Sequence, residues 1–87
     1  MRTLSSLRGI GPATLKDFAL LGIHSLEALA TRDGAQLYQQ LEELTGQRQD
    51  PSVLDTFRCA IAQARNPQLP AEQCNWWWWS RRRKEHA

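Results

Sequence analysis

The stretch Leu7-Arg8-Gly9-Ile10-Gly11-Pro12-Ala13-Thr14-Leu15 has the residue types and spacing of an anion site. Two glycines flank one apolar residue just ahead of a helix. Lacking Cβ atoms, Gly9 and Gly11 can adopt positive φ and let another backbone come close. The N–H groups of Gly11, Ala13 and Thr14 point at the helix mouth, where the positive end of the helix dipole adds to them. The group that fits such a mouth is a phosphate. Thr14 adds a hydroxyl, Arg8 and Lys16 supply charge, and Ile10 anchors the turn in the core. Pro12 has no N–H to give.

Four consecutive tryptophans, Trp76, Trp77, Trp78 and Trp79, run directly into Ser80-Arg81-Arg82-Arg83-Lys84 and make the second candidate. In a helix, successive rings point about 100° apart and sweep around the axis; in a strand they alternate faces. Either way one or two rings face solvent or a partner, while about two complete a core that a short chain builds thinly. Three uses compete for the cations Arg81, Arg82, Arg83 and Lys84. They suit the phosphates of a single strand whose bases stack on the rings, an anionic membrane surface, or a disordered, solubilising end.

The remaining reactive side chains have structural readings. Glu42 and Glu43 are adjacent, so they point to different faces and form no catalytic pair. Asp55 and Arg58, three apart, are expected to form a surface ion pair, and Asp50 to cap a helix. Cys59 and Cys74 have neither metal-ligand nor redox-pair spacing, and a disulfide between them stays open. His24 reads as a capping or surface residue. No metal, cofactor or catalytic residue is expected, and the chain is not read as an enzyme.

Helices must position these groups. Pro12 starts a segment with Leu15, Phe18 and Ala19 on one face, closed at Gly22 with Ile23 packing back. Ser25 caps a short turn. Asp33 or Thr31 opens a helix over 33–45 with Leu37, Tyr38, Leu41 and Leu44 inward, which Gly46 ends. Asp50-Pro51 opens another over 51–65, with Val53, Leu54, Phe57, Ala60, Ile61 and Ala64 inward, and Asn66-Pro67 stops it. No alternating run marks a strand. The expectation is an all-α domain of about five short helices.

Length and charge agree with a small globular chain. Its 87 residues hold one domain, and 41% hydrophobic against 23% charged residues is a folding composition. The last eight residues carry four bases against Glu85, a charge of +3; residues 1–79 carry seven bases against eight acids, or −1. The body is thus not strongly basic, which argues against high-affinity nucleic-acid binding by electrostatics alone. No apolar run approaches the ~20 residues of a membrane span. Met1 to Ser6 has no signal-like stretch, so a cytoplasmic location is expected.

The turn from Leu7 to Leu15 resembles the helix-hairpin-helix family, in which apolar-x-Gly-apolar-Gly joins two helices and grips a DNA backbone phosphate. The match covers residues 7–21. Ala13 departs from the basic residue frequent at that position. Leu20, Gly22, Ile23 and His24 repeat Leu7, Gly9, Ile10 and Gly11, which resembles a paired, SAM-like tandem with a degenerate second hairpin at 20–28. Leu4 to Gly46 is also similar to the C-terminal module of the TfoX competence regulators. Leu44-Thr45-Gly46, Gln49-Asp50-Pro51, Val53-Leu54-Asp55-x-Phe57-Arg58-Cys59-Ala60 and the tryptophan cluster are similar to the bacterial pathogenicity-locus family, some members of which are labelled mitomycin resistance proteins.

That resemblance implies a helix-hairpin-helix domain over 1–79, with a Trp-rich arm over 69–79, and a basic, disordered tail over 80–87. The family's Trp-Trp-x-Trp ending maps to Trp76, Trp77 and Trp79 and makes Trp78 the exposed ring. The function it implies is non-catalytic, sequence-independent binding of nucleic acid, DNA above all, by Arg8, Gly9, Ile10, Gly11, Ala13, Thr14 and Lys16, with a link to DNA damage or mitomycin resistance. The alternative is a protein–protein adaptor, or a weak homo-oligomer, that uses the tryptophan cluster.

Overall fold

A computed structural model describes residues 2–85 of the chain. Among these described residues five α-helices form: α1 (Pro12–Leu20), α2 (Leu26–Ala30), α3 (Gly34–Thr45), α4 (Pro51–Arg65) and α5 (Trp76–Glu85). Short 3-10 turns lie at Leu4–Ser6 and Ala71–Cys74, and there is no strand among the described residues. The all-α expectation holds.

Local chemistry sets most boundaries. Gly22, at φ +77°, closes α1: its N–H donates to the Ala19 carbonyl at 3.1 Å, and the Ile23 N–H donates to the Phe18 carbonyl at 2.8 Å. That pair of bonds buries Ile23 against the helix it terminates. Ser25 Oγ accepts from the Ala28 N–H at 3.1 Å, and Asp33 accepts from the Gln36 N–H at 3.3 Å, starting α2 and α3. Asp50 accepts from the Ser52 N–H at 2.8 Å at the head of α4.

Helix α4 is the centre. Helices α2, α3 and α5 and the Ala71–Cys74 turn all pack on it, and α1 lies against α3. Phe18 and Phe57 meet at 5.4 Å between ring centroids, inside a cluster that includes Leu29, Leu37, Leu41, Ala60 and Ile61. Leu44 departs from its expected inward placement. It is 62% exposed and lies beside Leu20 and Leu21 in a shallow groove. Apolar spacing gives a helix its buried face but not the point along the axis where its neighbours end; Leu44 sits one turn beyond Leu41.

Two further differences concern the end of the chain. Residues 80–85, expected as a disordered tail, continue α5 to Glu85, and the last residues of that segment lie outside the described ones. Asp55 is fully buried and pairs with Arg83, not with Arg58. Arg58 instead lays its stem over Gly34, where a Cβ would come within 2.7 Å of the Arg58 Cγ.

Candidate functional site

The turn ahead of α1 is held from beneath. The Gln63 side chain, buried on α4, accepts from the Arg8 N–H at 2.9 Å and donates to the Arg8 carbonyl at 2.9 Å. Arg2 donates to the Gln63 carbonyl at 2.8 Å on the same side. Leu7 is buried and Ile10 half-buried against the core, so the turn is fixed at both shoulders. Gly9 takes φ +75°, and a Cβ there would stand 3.7 Å from the Cys74 carbonyl. Here glycine is required by conformation.

Gly11 differs. At φ −100° it is extended backbone open to any residue, and nothing lies within 4 Å of a Cβ built on it. It is the N-cap of α1, and no side chain caps that end. The first helical bond runs from the Leu15 N–H to the Gly11 carbonyl at 3.1 Å. Gly11 and Ala13 are exposed and Thr14 is half-buried, with Arg8 and Lys16 exposed on either side. The mouth is therefore open, polar and lightly cationic. Asp17 tempers the charge: partial burial pushes its carboxyl up and the neighbouring Lys16 pulls it down. His24, at the second turn, is exposed.

On α5 the four rings divide two and two. Trp76 and Trp77 are 45% and 43% exposed, whereas Trp78 and Trp79 are half-buried and meet edge to face at 5.0 Å. Trp79 Nε1 donates to the Gln73 carbonyl at 2.9 Å. The expectation of Trp78 as the exposed ring is corrected: α5 turns Trp79 towards the Ala71–Cys74 turn and α4, Trp78 packs against Trp79, and the first two rings are left outside. Arg81 stacks over Trp77 and Arg82 over Trp78, each at 5.2 Å. Arg83 is not a free tail cation; its Nε lies 3.0 Å from Asp55 Oδ1 and its second nitrogen 3.2 Å from Oδ2. Lys84 is exposed.

Sequence reasoning missed Gln63 and the Asp55–Arg83 pair. A signal was present in the spacing: Asp55, Cys59 and Gln63 stand at i, i+4 and i+8 on α4, and all three are buried. Asp55 holds α5, Cys59 Sγ donates to the Gln73 carbonyl at 3.6 Å, and Gln63 holds the turn at Arg8. This one stripe docks every segment that carries a candidate contact.

The fold and these two surfaces define a small all-α protein with a rigid glycine turn and a cationic, aromatic terminal helix on one central helix. A family model described as Cdd1, pathogenicity locus, matches residues 1–85, and the chain belongs to that family. It is 37% identical over 68 residues to the mitomycin resistance protein McrB of Streptomyces lavendulae. That match covers 78% of this chain and 63% of McrB. No solved structure matches the chain. Among the described residues no helix is long and apolar enough to cross a membrane.

Proposed function

We propose that this chain is a non-catalytic, cytoplasmic module of helix-hairpin-helix type that binds the nucleic-acid backbone without reading sequence. The observation that carries the reading is the open, uncapped start of α1 between Arg8 and Lys16, on a turn clamped by Gln63. Free N–H groups at a helix start favour an anion, and a clamped turn meets it with little loss of freedom. The non-catalytic reading is supported by the structural employment of four of the nine acids. Asp33 and Asp50 cap helices, Glu42 accepts from the Gln49 N–H, and Asp55 is buried against Arg83. The likeness to a mitomycin resistance protein adds a proposed role in tolerance of that drug, for which survival of cells with and without the chain is the test.

Gly11→Val tests the mouth. The position is unstrained and open, so the variant folds with only the modest loss of a weaker N-cap residue, on the order of 1 kcal/mol. Its side chain then stands where a phosphate would approach. Anisotropy of a labelled duplex should show weaker binding at every salt concentration; undiminished binding by a folded variant would sink the mechanism. The second reading, a protein adaptor, is favoured by the exposed Trp76 and Trp77. Its simplest version, self-association, predicts a concentration-dependent mass that Trp77→Ser abolishes in sedimentation.

A further inference from the structure

We propose that Trp76 and Trp77 form a base-stacking platform continuous with the Gly9–Gly11 turn, which makes single-stranded nucleic acid the preferred ligand over duplex. The inference rests on the backbone-binding reading above and names its ligand class. The two rings line a cleft of about 480 Å³ with Ser80, Arg81, Lys84 and Glu85, two cations against one carboxylate. Arg81 is held over Trp77 at 5.2 Å, so a stacking plane and a phosphate-pairing cation arrive as one prearranged unit. Arg81, Arg82 and Lys84 are exposed, and the ion pair on this helix uses Arg83 instead.

The surroundings of the rings select the occupant. The buried centre of a protein interface is depleted of lysine and glutamate, whereas these rings share their cleft with Lys84 and Glu85 as well as Arg81. A second copy would bring two such faces together, each with two cations against the single carboxylate of Glu85. An anionic membrane gains little from three charges and two rings. A duplex keeps its bases stacked inside, out of reach of an indole, but an unpaired strand offers a π-face at every nucleotide.

Position joins the platform to the turn. A Cβ on Gly9 would lie 3.7 Å from the Cys74 carbonyl, and α5 begins at Trp76, two residues on. Two residues reach no more than about 7 Å. The backbone of the turn and the start of α5 are thus close neighbours, so a strand of a few nucleotides is long enough to touch both.

The test uses the whole chain, an end-labelled oligothymidylate and a mixed-sequence duplex of equal length, at near-physiological salt. Single strand is expected to bind about ten-fold tighter or more, from at least one stacked base. The same strand, unlabelled, should quench tryptophan fluorescence, and duplex should not. The double variant Trp76→Ala, Trp77→Ala should lose that advantage and bind duplex within about two-fold of the parent; both sites are exposed, and circular dichroism verifies the helices. Equal or tighter duplex binding by the parent overturns the platform while leaving the turn mechanism standing. So does a folded double variant that keeps its single-strand affinity but loses self-association or binding to phosphatidylserine vesicles. Absence of binding to both probes removes the backbone-binding reading as well.

Discussion

A primary amide offers a donor and an acceptor side by side, and Gln63 spends both on the backbone of Arg8. Gln63→Leu leaves that N–H and carbonyl without partners, at about 1–3 kcal/mol of stability. Gln63→Glu keeps the size but turns a carboxylate oxygen towards the Arg8 carbonyl, so it should be at least as damaging. Urea unfolding measures both, and amide exchange at Arg8 and Gly9 should quicken in each variant. On the same stripe, burial pushes the Cys59 thiol up to about 11, with the Gln63 hydrogen bond acting against it. The native protein should therefore leave Cys59 unalkylated by iodoacetamide at pH 8, and denaturant should release it; rapid native modification would contradict the packing. Asp50 has the opposite shift, lowered below 3.8 by its hydrogen bonds to Ser52. Its stabilisation is complete above that pH and is lost as pH falls through the folded value, so Asp50→Ala should flatten the acid-unfolding curve only below about pH 4.

At the scale of elements, α5 is attached by a carboxylate that has no exposure to water. Removing one partner of such a pair strands the other, so Arg83→Met should lower stability more than Arg81→Met, and Asp55→Leu with Arg83→Met should recover part of the loss. Thermal unfolding of the four proteins decides it; equal effects at 81 and 83 would show the pair to be incidental. Truncation at residue 79 deletes Arg83 and is for that reason not a neutral way to remove charge. The elements that were legible in the sequence are those fixed by neighbours in the chain. The Ser25, Asp33 and Asp50 caps, the Gly22 and Gly46 closures and the Pro67 stop each act within a few residues. The glycine turn was legible for the same reason. Asp55 finds its partner 28 residues away and Arg8 its clamp 55 away, and helical spacing pointed Asp55 at Arg58 instead. Which rings of Trp76 to Trp79 face outward depends on where α5 docks, and that docking is set by Asp55 and the Gln73 carbonyl.

For the whole molecule, the distribution of charge separates the two contact surfaces by their response to salt. Residues 1–79 carry −1, so attraction between this body and a polyanion comes from α5 and from local donors at the turn. Each phosphate neutralised by a cation adds about 0.9 to the slope of log K against log salt on duplex DNA, and about 0.7 on a single strand. Replacing Arg81, Arg82 and Lys84 by serine, with Arg83 kept to hold α5 in place, should lower the single-strand slope by about 2. Gly11→Val changes no charge. It should weaken binding by a constant factor across the salt series and leave the slope alone, because it blocks backbone donors that release no counterions of their own. On the proposed binding mode the two effects should add, since the backbone donors of the turn and the cations of α5 would meet different phosphates. Titrations of the parent, the triple variant, Gly11→Val and their combination at several salt concentrations supply all four lines. Parallel lines for the triple variant and the parent would mean that the α5 cations never meet phosphate. Convergence at high salt would instead leave the turn and the rings as what remains of the affinity once the ions are screened.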